Sequence, residues 1–298
     1  MVDMKLGNTF FGRIDRDTRV VLVGDVKQLP SVGPGNVFRE LIESGIIPLT
    51  VLDVVFRQDK NSRIVQNADL MQKDQTEFAY GEDFVWLPVE TELEAKNLVR
   101  KVYADEVKQN GVENVQILTP RRKGDGVSVN GMNEELHEMM NPARKGQLEM
   151  KAAGHTFRAG DKIIQNKNKD RISNGDTGFI KAIYLDSDGI KKTEIAFGSR
   201  IVEYDEEQME MVEHAYIQTV HKSQGSEYPA VIIPMHSGPR MLMTRNLIYT
   251  AVTRARTCVC LVGLPEVFAA MAGNSMEQKR YTGLRQRIEE LYALEEEE

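Results

Sequence analysis

Cysteine is nearly absent from this sequence: two of 298 residues, Cys258 and Cys260, which excludes a disulfide-stapled scaffold. Set two apart in the apolar run CVCLVG, they share one face if that run is a strand. There they read as small buried hydrophobes suited to a reducing cytoplasm. Long apolar runs are missing too. No uninterrupted stretch approaches the roughly 18 residues of a membrane-crossing helix, so no membrane partner is expected. The N-terminus, MVDMKLGNTFFGRIDRD, lacks the basic, apolar and small-residue zones of a secretion signal. No glycine directly precedes a lysine, so the Gly-x-x-x-x-Gly-Lys-[Ser/Thr] cradle for nucleotide phosphates is not encoded. No HxxxH or Cys/His spacing points to zinc, and no metal ligand is assigned. Basic residues are outnumbered, 38 Lys and Arg against 45 Asp and Glu, for a net charge of -7. That balance argues against a histone-like coating of nucleic acid and leaves room for local basic strips.

What remains is ordinary globular composition, 41% hydrophobic and 28% charged, in a chain long enough for two modest domains or one with an insertion. Short apolar runs alternate with helical patterns, which predicts an α/β fold on a parallel sheet. The strand candidates are Val20–Val23, Pro48–Leu52, Val115–Leu118, Ala230–Ile233 and Cys258–Val262. Helices are predicted at Asn36–Ser44, Glu92–Lys108, Asn130–Met140, Arg245–Thr253 and Gln278–Leu294. Between Gly160 and Tyr204 the texture changes to short alternating segments joined by Asn-Gly, Gly-Asp and Asp-Gly turns. That predicts antiparallel hairpins, a small β-barrel inserted in the α/β region.

Four segments concentrate chemistry. In VVLVGDVKQLPSVGPG an apolar run delivers Gly24, Asp25 and Gln28 at its carboxyl end, where open α/β sheets place ligands. A glutamine there can hydrogen-bond both a water and a phosphate oxygen, although alone the segment also describes a strand and a polar turn. VVFRQ places Arg57, a planar cationic fork suited to phosphate, just past another apolar run. YIQTVHKSQGSEYPAVII packs Thr219, His221, Lys222, Gln224, Gly225 and Glu227 ahead of an apolar strand, and Gly225 permits close backbone approach. RNLIYTAVTRARTCVCLVG spaces Arg245, Arg254 and Arg256 along an amphipathic helix, with Arg254 the candidate arginine finger. Arg121, Arg122 and Lys123 in ILTPRRKGDG, and Lys162, Lys167, Lys169 and Arg171 in the barrel, suit either phosphate contact or plain solvated charge. No Walker-type magnesium site stands out: Asp105-Glu106 sits in a helical pattern, and Asp205-Glu206 follows a half-exposed strand.

In this order the four segments resemble motifs III to VI of superfamily 1 helicases, specifically the RecD-like branch. The resemblance rests on GDVKQLPSVGPG, VFRQ, TVHKSQGSEYPAVIIP and NLIYTAVTRAR. LTPRRKGDGVSVNGMNEELHEMMNP and GDKIIQNKNKDRISNGDTGFI add to it, so that it covers Met1 to about Gly263. It implies a RecA-like, P-loop NTPase-type parallel-sheet domain carrying an SH3-like antiparallel β-barrel. The expected division is 1–48 as part of a first RecA-like domain, 49–140 with 206–298 as a second, and 141–205 as the barrel.

By the same resemblance, Gln28 senses the γ-phosphate and its attacking water, and Arg57 and Arg254 reach that phosphate from the second domain. Gly24, Asp25, Gly225 and Glu227 border the nucleotide. Thr219, His221 and Lys222 would lie on or beside single-stranded DNA, and the Arg121, Arg122 and Lys123 cluster is a further DNA-contact candidate on its charge. The implied activity is that of an ATP-dependent 5′–3′ DNA helicase in DNA repair or recombination, using ATP and Mg²⁺ in the intact parent. Met1-Val2-Asp3 is similar to the continuation of the family's D-E-x-S-M segment. The chain is therefore expected to begin just after the magnesium-binding acids, to bind no cofactor alone and to be inactive alone. Its implied partners are the missing N-terminal RecA-like domain and, in larger machines, exonuclease or relaxase subunits. The alternative is a non-catalytic nucleic-acid or protein-binding module retaining the helicase fold.

Overall fold

A computed structural model of the chain describes residues 2–15, 17–52, 62–73, 75–124, 126–235, 241–274, 280 and 282–296. It opens on α1 (Met4–Phe11), capped by the Asp3 carboxylate, which accepts from the Leu6 amide at 2.8 Å. Next come α2 (Val37–Glu43) and α3 (Arg63–Gln72), then β1 (Phe84–Pro88). A reciprocal capping box between Thr91 and Glu94 starts α4 (Glu92–Asn110), satisfying donors that the first helical turn leaves open. β2 (Val115–Thr119) leads through the Arg121–Lys123 turn into α5 (Val129–Met140), which Ser128 caps and Asn141-Pro142 ends.

The antiparallel part follows as β3 (Glu149–Ala152), β4 (His155–Arg158), β5 (Lys162–Gln165), β6 (Thr177–Leu185), β7 (Lys191–Phe197) and β8 (Arg200–Tyr204). The short α6 (Glu206–Met209) and β9 (Val212–His214) complete it. The chain then returns to the parallel sheet with β10 (Ile217–Thr219), β11 (Tyr228–Met235), α7 (Arg245–Val252), β12 (Ala255–Gly263), α8 (Pro265–Gly273) and α9 (Leu284–Glu296).

Among the described residues, two five-stranded sheets and the β3-β4 hairpin organise these elements. The parallel sheet runs β1-β12-β11-β2-β10, all in one direction. Its central strands are apolar throughout because both faces are covered. One face packs on α3, α7 and α8 around Phe84, Ile233, Leu261 and Phe268. The other packs on α4 and α5 around Tyr103, Ile117, Met132 and Ile232. The second sheet, β8-β7-β6-β5-β9, is antiparallel and closes over its own core of Phe157, Ile163, Ile195 and Tyr204. It draws on β9, beyond the expected limit at 205. Among the described residues, no helix is long and apolar enough to cross a membrane.

Three expectations need correction. Val20–Val23 and Pro48–Leu52 form no strand; Val21 is 77% exposed, Val23 89% and Leu52 87%. An apolar run becomes a strand only when a neighbour takes up its N–H and C=O groups, and no described segment lies alongside to do so. The last helix begins at Leu284, later than periodicity alone suggests. Lys162, grouped above with cations suited to phosphate or solvent, is buried in the seam between the two sheets. Its ammonium donates to the carbonyls of Val112 at 3.0 Å and Val115 at 2.9 Å. Burial lowers its pKa to about 7.

Candidate functional site

The turn after β10, the C-terminal end of α7 with Arg254 just beyond it, and the turn 25–29 bring three separated stretches of sequence together. After Thr219 the chain makes a tight turn, with the amides of Lys222 and Ser223 donating to the Thr219 carbonyl at 3.0 and 3.2 Å. Gly225 takes a positive φ of 89°, with nothing within 4 Å of where a Cβ would stand, so the backbone there is open to a close ligand. This loop and α7 together hold the turn 25–29. Gln224 Nε2 donates to the Leu29 carbonyl at 2.9 Å, and Thr250 Oγ1 accepts from the Leu29 amide at 2.9 Å. Gly24, just before the turn, lies against Phe38; a Cβ on it would meet that ring at 2.9 Å.

The result is a direct contact between two of the expected sensors. Arg254 is 5% exposed, and its Nη2 donates to Gln28 Oε1 at 3.0 Å. The rest of the guanidinium is fixed by the Ser226 carbonyl, 3.1 Å from Nη1, and the Thr250 carbonyl, 3.3 Å from Nε. The other end of the Gln28 amide donates from Nε2 to Asp25 Oδ2 at 3.3 Å, and Tyr249 donates to the same oxygen at 3.3 Å. Burial, together with the Asp25 charge, pushes the Tyr249 hydroxyl up to about 12. Gln28 is thus oriented at both ends. The buried Gln224 Oε1 accepts no hydrogen bond, leaving one acceptor beside the cluster for an incoming donor. Glu227 points elsewhere and pairs with Arg256 at 2.9 Å. Arg57 lies outside the described residues.

A second cluster joins the parallel sheet to the antiparallel one. Glu213 on β9 accepts from Arg122 Nη2 at 2.6 Å and lies 3.6 Å from Lys222 Nζ, which also bonds Asn166 Oδ1. Burial alone would raise the Glu213 pKa, but Arg122 and Lys222 hold it below the usual carboxylate range. Burial likewise pushes Lys222 and His221 down. The Thr219 hydroxyl accepts from the Lys222 amide at 3.3 Å. Arg121 turns away to pair with Glu92 at the start of α4, and Lys123 is exposed. Tyr216 and Tyr228 are buried, so neither presents a ring to solvent.

Sequence reasoning missed Glu213, Asn166, Thr250 and Tyr249. None stands in a recognisable spacing; each joins its cluster only through a partner far away along the chain.

Residues 214–262 match the family described as the UvrD-like helicase C-terminal domain. Residues 132–197 match the ATP-dependent RecD-like DNA helicase SH3 domain, and residues 1–87 an AAA domain. The chain is 32% identical over 272 residues to an ATP-dependent RecD2 DNA helicase of Deinococcus radiodurans, covering 91% of this chain and 36% of that protein. It is 27% identical over 308 residues to the RecBCD enzyme subunit RecD of Mycolicibacterium smegmatis, covering 97% of this chain and 52% of the relative. It therefore spans about a third to a half of the length of these curated relatives. A solved Pif1 helicase from Candida albicans overlaps at a TM-score of 0.40 and 14% identity, over 91% of this chain and 67% of that one; so slight a likeness carries no argument. The four chemistry-bearing segments, the sheet with its inserted antiparallel domain and these matches lead to one assignment: the chain belongs to the RecD-like family of superfamily 1 helicases.

Proposed function

We propose that this chain supplies the γ-phosphate sensors and part of the single-strand track of an ATP-dependent 5′–3′ DNA helicase. The phosphate loop and magnesium-binding acids would come from another RecA-like unit. The observation that carries the reading is the Arg254–Gln28 contact. A neutral amide and an always-charged fork meet at 3.0 Å beside an open glycine loop, which suits a polyanion and an attacking water. Bound ATP supplies the γ-phosphoryl group whose transfer to water powers movement. Gln28 orients that water, Arg254 neutralises charge developing on the phosphoryl oxygens, and Gly225 lets the backbone approach. Thr219, His221, Lys222 and Arg122 border the strand, with Lys123 in reach of phosphates from solvent. The setting is cytoplasmic DNA repair or recombination, alone or beside exonuclease or relaxase subunits.

Glu213 already occupies the two cations that a DNA phosphate would use. Glu213→Gln should therefore tighten single-strand binding and steepen its salt dependence. Each further phosphate neutralised adds about 0.7 to the log–log slope, so a steepening of roughly 0.7–1.4 is expected in fluorescence-anisotropy titrations. An unchanged slope would remove Arg122 and Lys222 from the track. The chain alone should show no DNA-stimulated ATP hydrolysis, because it encodes no Gly-Lys phosphate loop. Turnover by this chain, abolished in Arg254→Ala, would refute the division of labour.

A further inference from the structure

The buried junction between α5 and β9 holds two imidazoles stacked 4.2 Å apart at 24°, His137 and His214. Both rings turn Nε2 toward one carboxylate oxygen, Asp161 Oδ2, at 3.0 Å for His137 and 3.3 Å for His214. A carboxylate oxygen only accepts, so each Nε2 carries its proton. Arg158 Nη1, 3.4 Å from His137 Nε2, cannot reverse this assignment with the carboxylate in place. The tautomer that follows leaves a bare lone pair on both Nδ1 atoms. Both Nδ1 atoms are buried and have no hydrogen-bond partner.

A third donor stands beside them. Glu134 lies one helical turn before His137 on the same face of α5. One of its carboxylate oxygens and one nitrogen from each ring lie within 4.8 Å of one another. The local charge also suits a cation. Glu138, whose Oε1 is 3.8 Å from His137 Nδ1, and Glu149 both pair with the single guanidinium of Arg158. Asp161 and Glu134 add two more carboxylates.

We infer that Glu134, His137 and His214 form a binding site for a zinc-class divalent metal ion, through the two Nδ1 atoms and the Glu134 carboxylate. Asp161 is the outer partner that fixes both ring tautomers, the arrangement by which carboxylates orient metal-bound histidines. Imidazole with carboxylate favours such an ion over magnesium or calcium, which take oxygen donors. Tetrahedral zinc at about 2.0–2.1 Å from its ligands needs donors about 3.4 Å apart. The three donors therefore close inward on binding, with exposed Glu134 swinging furthest and water completing the shell. The ion links α5 to β9 and so fixes the strand on which Glu213 meets Arg122 and Lys222. No spacing in the sequence announces the site, because its third ligand comes from the far end of the inserted domain.

Cobalt titration of metal-stripped protein tests this. Cys258 and Cys260, whose Sγ atoms lie 3.8 Å apart with Glu106 close by, are first replaced (Cys258→Ser, Cys260→Ala) so that no thiolate contributes. One equivalent of Co²⁺ should then produce visible ligand-field bands without sulfur charge transfer, and Zn²⁺ should displace it. Zn²⁺ should raise the thermal midpoint of the same protein. Glu134→Ala changes an exposed side chain outside the core, so it keeps the fold while weakening the metal about tenfold or more. His214→Gln should abolish binding. Absent cobalt bands, or equal affinity in the Glu134→Ala protein, would overturn the site. Neither result bears on the nucleotide reading, which uses none of these residues.

Discussion

Replacing Arg254 by alanine is expected to lower ATP hydrolysis by the complete helicase about 10³-fold or more, the range measured for arginine fingers. Single-strand affinity should stay within about twofold, because Arg122 and Lys222 lie in the separate cluster around Glu213. The guanidinium is directed by Gln28, Ser226 and Thr250 and, through Gln28, by Asp25. The fork is therefore held in place, so in the proposed role little ordering would remain for a γ-phosphate to impose. Arg254→Lys keeps the charge but cannot span the Ser226 carbonyl and Gln28 together. It should recover only a small part of the rate. Because Arg254 and Gln28 touch, the effects of Arg254→Ala and Gln28→Ala should be markedly non-additive. Steady-state ATPase assays on the parent, the two single variants and the double variant, with thermal melts to confirm folding, provide the check. A loss of less than tenfold in Arg254→Ala would remove the residue from the finger role, and simple additivity would mean that the Arg254–Gln28 hydrogen bond has no part in hydrolysis.

The Arg254–Gln28 pair also illustrates what a sequence does and does not reveal. Each residue type was legible from its own setting: an amide after an apolar run, a cation at the end of an amphipathic helix. Their meeting was not, since it depends on Leu29 being held by Gln224 and Thr250, residues about 195 and 221 positions away. Strands were legible where burial on both faces made them apolar, as in β2, β11 and β12. β10 was missed because it is only Ile217–Thr219, with a glutamine at its centre. That glutamine, Gln218, is buried beside Gln116, so a tertiary environment decides what its polarity argues against. The reverse error occurred at Val20–Val23, where strand-like composition lacks a paired neighbour among the described residues. Local pattern reports propensity, and pairing decides the outcome.

The residue that local pattern hid most completely carries the second large expectation. Asp161, in a Gly-Asp step that reads as a plain turn, is fully buried where α5, β9 and the β4–β5 turn meet. It accepts from the Arg158 amide at 2.7 Å, Asn141 Nδ2 at 2.7 Å and Tyr216 Oη at 3.1 Å, besides both histidines. Burial alone would raise its pKa, yet the hydrogen bonds from His137, His214 and Asn141 hold it well below the usual carboxylate range. Asp161→Ala removes the one acceptor that the Arg158 amide, Asn141, Tyr216 and both histidines share. Each buried donor left without a partner costs about 1–3 kcal/mol. The urea midpoint of metal-free Asp161→Ala should therefore fall by an amount that most domains cannot spare. Asp161→Asn should be only partly better, because its amide nitrogen must face one of the same donors. Glu203, which pairs with Tyr184 at 2.6 Å on the exposed barrel surface, gives the contrast: Glu203→Ala should cost less than about 1 kcal/mol. If Asp161→Ala lost no more than Glu203→Ala, the junction would owe its stability to apolar packing around Phe157 and Tyr216 instead. The antiparallel domain would then be held to the parallel sheet by shape alone.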